Sequence, residues 1–297
     1  MKVLFSITHY LLLDVFKDCL ASLKISINHA NKNLKDFKYE ILIIGNSTIT
    51  DKDIIHDNDI KIIQNNFNLG FTKACNQVFK YSIKNNYDET VLINQDTLFS
   101  KETVLNILNS RKEINNQFSI LSPVQTDDKN QYDFKQSNKL KKILDTNQNI
   151  IEVDFINAAC WFINNEIIKK IGAMNEAFQH FGSDDEYIYR LKKINGKLYL
   201  INSSRIVHLR SFYKKNYSNS YHNMQTISSF KATAYLKLLK DKNFFYALIS
   251  LLVKPFIFLL LTKLSFNNFV EITKFRNINT LVKLNKIKYR LYLDINE

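Results

Sequence analysis

Asp96, within Asn94-Gln95-Asp96-Thr97, follows a short apolar run and so falls just beyond a strand. A carboxylate in that place can hold a hard divalent cation through oxygen, and the same four residues are also good turn formers. A second acidic group, Ser183-Asp184-Asp185-Glu186, leads into Tyr187-Ile188-Tyr189-Arg190. Acids that open a helix complement its dipole, with Ser183 as the cap; one of them in a cleft could instead remove a proton from a hydroxyl. His208 follows apolar runs at 198–201 and 205–207. Such an imidazole is either a satisfied structural group or, beside a carboxylate, a metal ligand. Trp161, the one tryptophan, either fills the core or offers an aromatic face to a ligand.

The elements that must carry these residues are legible in the first half. Apolar runs at 3–8, 39–44, 60–63 and 90–94 alternate with helical patterns at about 12–30 and 70–84. Strand and helix at this spacing predict an α/β fold with a mostly parallel central sheet flanked by helices. Ligands in such folds bind outside the carboxyl ends of the strands. The polar clusters Thr8-His9-Tyr10, Gly45-Asn46-Ser47 and Asn94-Gln95-Asp96 all fall at those ends. Residues 125–150 are polar and read as a mobile connection or a short hairpin, 151–209 as a second structured block, and the chain from about 220 as helical.

Length and composition suit a folded chain. With 297 residues, 45% hydrophobic and 13% aromatic, the chain can bury a large core and is not a disordered segment. The cysteines, Cys19, Cys75 and Cys160, are widely spaced and odd in number, which supports neither a disulfide framework nor a zinc site and points to a reducing, cytoplasmic setting. The apolar segment 3–7 is too short for a signal-peptide core and reads as the first strand. The net charge of +13 is concentrated: residues 205–297 hold 16 Lys/Arg against 4 Asp/Glu. Such asymmetry calls for an anionic partner. Within that region, 244–261 is apolar except for Ser250, Lys254 and Pro255. A central Lys-Pro disfavours a membrane span, and the flanking lysines suit a helix lying in the interface. The same apolar stretch argues against nucleic acid as the partner.

Several ordered motifs resemble family 2 glycosyltransferases of the GT-A fold, in the style of rhamnosyltransferase-like members, over about residues 3–212. Ile43-Ile44-Gly45-Asn46-Ser47 stands where the family has Val-Asp-Asn-x-Ser. Asn68-Leu69-Gly70-Phe71, with Ala74 and Asn76, matches Asn-x-Gly-Phe-x-x-Ala-x-Asn. Leu92-Ile93-Asn94-Gln95-Asp96-Thr97 matches the Asn/Asp-x-Asp-Ser/Thr segment, 155–190 follows the acceptor-side block, and Val207-His208 matches the late histidine.

The resemblance implies an inverting enzyme that moves a sugar, rhamnose or a hexose, from a nucleotide diphosphate donor to a hydroxyl of a glycan or lipid-linked acceptor. Asp96 and His208 would hold Mg²⁺ or Mn²⁺, and Asp184 would be the general base. His9, Tyr10, Asn46, Asn68, Gly70, Asn76, Asn94 and Gln95 would form the donor side; Trp161, Glu186 and Arg190 fall on the acceptor side. Residues 1–215 would be the catalytic domain, split into 1–124 and 151–212. Residues 216–297 would be a basic region on an anionic membrane surface, at the inner face of the cell membrane. Gly45, in place of an Asp, and Ser183, in place of a Glu, depart from the family pattern. They leave a catalytically silent nucleotide- or glycan-binding homologue as the alternative.

Overall fold

The structure is a computed structural model that describes residues 1–49, 52–55, 57–132, 147–176, 178, 182–209 and the single position 236. The apolar stretch 244–261, the remainder of the basic region and residues 133–146 of the polar connection lie outside the described residues. Among the described residues no helix is long and apolar enough to cross a membrane.

The elements run β1 (Lys2–His9), α1 (Leu13–Asn33), β2 (Lys38–Gly45), α2 (Lys52–Ile55), β3 (Ile60–Gln64), α3 (Phe71–Lys84), β4 (Glu89–Asn94), β5 (Thr97–Phe99), α4 (Thr103–Glu113), β6 (Ser119–Thr126), β7 (Ile150–Glu152), β8 (Cys160–Asn164), α5 (Asn165–Ile171), α6 (Ser183–Lys193) and β9 (Lys197–His208). The strands form one sheet in the order β3-β2-β1-β4-β8-β6-β9-β5, with β7 also on β9. Its first half is parallel, as the alternation predicts: β1 pairs with β2 and β4, and β2 with β3. The second half is mixed, because β8 enters antiparallel between β4 and β6, while β6 and β9 run parallel.

Both faces of the sheet are covered, so its central strands read as unbroken apolar runs. Val3, Phe5 and Ile7 of β1 turn to one core with Phe16, Cys19 and Leu23 of α1 and Val104 and Ile107 of α4. Leu4, with Leu42 and Ile44 of β2, turns to the other, where Val78 and Phe79 of α3, Ile167 of α5 and Tyr187 of α6 lie. The two apolar runs before His208 form a single strand. Its register against β6 jumps between Pro123, paired with Ile201, and Val124, paired with Arg205.

At the amino ends of β4 and β6, Glu89 and Arg111 make a buried ion pair, with Nε 3.1 and 3.0 Å from the two carboxylate oxygens. The same guanidinium donates to the Phe162 carbonyl at 3.1 Å, tying α4, β4 and β8 together. The polar connection begins as a tight hairpin: Asp127 N–H donates to Gln131 O at 2.8 Å, and Thr126 bridges Tyr132.

Candidate active site

The carboxyl ends of β1, β2, β3, β4 and β9 share one edge of the sheet. Helix α6 brings its amino end to the same edge, as two observations require. Strand β9 starts at the opposite edge, where Lys197 pairs with Ser119, so the helix before it must descend from the ligand edge. Thr72, in the first turn of α3, also donates to the carbonyl of Phe178, just ahead of α6.

Asp96 and His208, distant in sequence, are joined by strand pairing. Thr97 opposes His208, and Leu209 N–H donates to the Asp96 carbonyl at 2.8 Å. Their side chains then meet, with His208 Nε2 3.3 Å from Asp96 Oδ2, both buried. One carboxylate and one imidazole would suit a divalent cation that takes water and phosphate oxygens as further ligands. Among the described residues no group of three or more His, Cys, Asp or Glu gathers.

Gln95 lies between β4 and β1. Its Oε1 accepts from Tyr10 N–H at 2.8 Å, and its Nε2 donates to the Tyr10 carbonyl at 2.8 Å. That closes the β1 loop as a strand partner would. The same Oε1 lies 3.2 Å from His9 Nδ1 and is an acceptor only, so the His9 proton is assigned to Nδ1. His9 is buried against Phe16, ring centroids 4.6 Å apart, and burial holds its pKa below the ordinary value, opposed in part by the Gln95 bond. Asn94 ends β4 half-buried, with its backbone N–H on the Ala159 carbonyl at 2.9 Å.

Asn46 is a buried junction. Its backbone N–H donates to His9 O at 2.8 Å, and its side-chain oxygen accepts from Asn65 Nδ2 at 3.0 Å and Leu69 N–H at 3.4 Å. Asn68 Oδ1 accepts from Gly70 N–H at 2.9 Å, an Asx turn that leads into α3. Gly70 caps that helix at φ 82°, ψ 169°, a conformation open essentially to glycine alone. Asn46 therefore ties together the loops after β1, β2 and β3, with its amide held by backbone and a neighbouring amide.

Asn76 faces away from the β-strand loops. Its Oδ1 accepts from Met174 N–H at 2.8 Å, and its Nδ2 donates to Met174 O at 3.0 Å and to Glu176 at 3.1 Å. Asn76, expected to shape the nucleotide cleft, thus holds Met174 and Glu176. Gly182, in the left-handed region at φ 79°, is the N-cap of α6, and Ser183 is the first residue of the helix. Asp184 is half-buried, and its Oδ1 accepts from Asp185 N–H at 3.0 Å.

Of the residues expected on the acceptor side, Glu186 and Trp161 are buried and Arg190 is half-buried. Arg190 meets Glu186 in a bidentate pair, with Nε at 2.8 and Nη2 at 2.9 Å, and also donates to the Ala173 carbonyl at 2.8 Å. These two side chains turn inward at helical i,i+4 spacing and secure the same segment from its other side. Trp161 is fully buried in the middle of β8, opposite Leu92 and 6.3 Å from the Tyr187 ring. A sugar has no access to it, because β8 is covered on both faces.

Gln64, Asn65 and Gln77 were not among the expected site residues. Asn65 and Gln77 exchange amide bonds of 3.0 and 2.8 Å, while Gln64 folds over Gly45. The departure at Gly45 was the available signal. A cavity of about 350 Å³ between α6 and the start of β9 lies at the opposite edge. Its charges are paired, Lys192 with Asp154 at 2.9 Å and Lys197 with Glu152 at 2.7 Å.

The chain is similar over 168 residues to the low-salt glycan biosynthesis hexosyltransferase Agl10 of Haloferax volcanii, at 23% identity; the match covers 52% of this chain. It spans about half, 54%, of that curated relative. Among solved structures, S. aureus TarS 1-349 aligns with a TM-score of 0.57 at 13% identity, over 96% of this chain and 80% of that one. GalNAc-T7 aligns at 0.51 and 10% identity, over 70% of this chain and 43% of that one. These likenesses show the fold, a GT-A α/β architecture. The model of glycosyl transferase family 2 matches residues 14–172, more than half of the sequence, and the chain belongs to that family.

Proposed function

We propose that the protein is an inverting glycosyltransferase that moves a sugar, rhamnose or a hexose, from a nucleotide diphosphate donor to a hydroxyl of a glycan or lipid-linked acceptor. The observation that carries this reading is the buried Asp96–His208 pair at the same sheet edge as the amino end of α6, where Asp184 stands. The leaving group is a diphosphate, and a site that binds it must offset its negative charge. Asp96 and His208 would hold a divalent cation, which supplies Lewis-acid charge to the departing diphosphate.

Asp184 takes the proton of the acceptor hydroxyl as its oxygen attacks the anomeric carbon. The bond from that carbon to the phosphate oxygen breaks on the opposite face, and configuration inverts. The loops bearing Tyr10, Asn68 and Gly70 shape the nucleoside side, with Asn46 and Gln95 fixing those loops from behind. The structures similar in fold include TarS in complex with UDP and GalNAc-T7 with UDP, GalNAc and Mn²⁺, which supports a nucleotide donor and a divalent cation here.

Residues 1–215 form the catalytic unit in this reading. The basic region 216–297 holds it against an anionic membrane surface, at the cytoplasmic face where lipid-linked acceptors for surface polysaccharides are built. The excess of Lys and Arg after residue 204 supports that placement.

The test is release of nucleoside diphosphate from a panel of nucleotide sugars, in wild type and Asp184→Asn. Turnover of one donor, lost in Asp184→Asn with binding intact, is the expected result. Donor binding without turnover in wild type would instead make the chain a silent homologue, the reading favoured by Gly45 and Ser183.

A further inference from the structure

Gly45 ends β2 and Gln64 ends β3, adjacent and in register at the ligand edge. A Cβ placed on Gly45 would lie 2.6 Å from Gln64 Oε1 and 3.0 Å from its Cδ, so the Gln64 amide fills the space a side chain at 45 would take. The orientation of that amide is determined by its surroundings. Nε2 lies 2.9 Å from the Gly45 carbonyl, 3.2 Å from that of Ser47 and 3.0 Å from that of Asn65. Exchanging N for O would set a carbonyl oxygen against three others. Oε1 is therefore presented as a fixed acceptor above the end of β2, on an exposed residue.

Exposed apolar side chains stand on the loops tied to this amide. Leu11 is 48% exposed and is held at φ 53° by donation of its N–H to Ser47 Oγ at 2.7 Å, while Phe67 is 69% exposed two residues past Asn65. A non-glycine residue in the left-handed region costs energy and persists only where its surroundings impose it. In sheet order β1 separates β2 from β4, so this acceptor lies two strand spacings, about 10 Å, from the strand that leads to Asp96. That reach suits a nucleoside diphosphate laid across the sheet edge, base at Gln64 and diphosphate at Asp96.

We infer that Gln64 is the base-reading residue of the donor site, and that among pyrimidines its Oε1 selects a base with an imide N–H, uracil or thymine. The inference rests on the donor reading above and adds the identity of the base and the residue that reads it. A uracil N3–H donates to this oxygen. Cytosine presents a lone pair at N3 and meets acceptor with acceptor.

The experiment is calorimetric titration of the full-length protein, with Mn²⁺ present, using UDP, N3-methyl-UDP and CDP. Wild type should bind UDP about tenfold more tightly than either analogue, the loss expected for one unmade hydrogen bond. Gln64→Ala should bind UDP more weakly and lose the discrimination. The double variant Gly45→Asp with Gln64→Ala should recover it, because Gly45 does not have a positive φ and an Asp side chain there returns an acceptor to the same place. A purely structural Gln64 would leave the UDP to N3-methyl-UDP ratio unmoved. Equal binding of UDP and N3-methyl-UDP by wild type, or discrimination kept in Gln64→Ala, overturns the inference and leaves the donor site standing. If wild type binds no nucleotide of this set or of a purine set, the donor reading fails with it.

Discussion

Side chains of the same type do different work along the ligand edge, and their hydrogen bonds decide which. Asp184 and Glu186 share one turn of α6, yet Glu186 is closed in a bidentate pair with Arg190 while Asp184 is half-buried at the helix start. Replacing a general base typically removes about 10²- to 10⁴-fold of rate. Asp184→Asn should lose turnover on that scale with nucleotide affinity unchanged, and a parallel loss of affinity would show that Asp184 serves binding instead. His9 gives a separate expectation. Its native pKa is depressed by burial, so below the unfolded value of about 6.5 the unfolded chain takes up a proton that the native chain does not. Stability should therefore fall as pH drops through 6.5 toward the lowered native pKa, with no contribution from His9 above that window. Thermal unfolding from pH 7.5 to 5.5 should show a shallower fall in His9→Asn, and an unchanged slope would contradict the assignment. Residue types at the motif positions were readable in the sequence; where their hydrogen bonds go was not. Asn46, Gln95 and Asn76 all have the amide that a nucleotide could use, and in each the amide closes on the protein's own backbone.

At the scale of elements, residues 172–176 and Phe178, ahead of α6 in the chain, are held from two sides. Asn76 and Thr72 of α3 hold Met174 and Phe178, and Arg190 holds the Ala173 carbonyl from within α6. Arg190→Met leaves the Glu186 carboxylate buried and unpaired, a change that costs about 3–5 kcal/mol. Combining it with Glu186→Leu should restore most of that loss, since an apolar pair of similar volume replaces a buried ion pair at little cost. Urea unfolding of the three variants measures this; a double variant no more stable than Arg190→Met would show that the pair does more than satisfy its own charges. The strands β1 to β4 were legible because each is a continuous apolar run bounded by polar turns. Other elements were not. β5 is three residues long, and β8 passes directly into α5, with Asn164 capping the helix through Glu166 N–H at 2.9 Å and no glycine or proline between them. Nothing in the order of the chain announces that β8 inserts antiparallel between β4 and β6, since that placement is decided by long-range pairing.

Over the whole molecule, the excess positive charge and the proposed site are segregated along the chain. Among the described residues the sheet and its ligand edge end at Leu209, and the excess of Lys and Arg follows Ser204. An interface-bound region of that charge should carry the full-length protein to vesicles containing anionic lipid at low ionic strength and release it as salt rises, because each basic residue near such a surface contributes about 1 kcal/mol. Flotation with neutral vesicles as control measures it; equal binding to both, or to neither, would contradict a membrane role for the basic region.

In the proposed reaction the Asp96–His208 edge binds a nucleoside diphosphate through a divalent cation. Calorimetric titration of nucleoside diphosphates with and without Mn²⁺, in wild type and Asp96→Ala, tests it most directly. Binding of one nucleotide that requires Mn²⁺ and is lost in Asp96→Ala is expected; the same affinity without the metal, or in the variant, would rule this out.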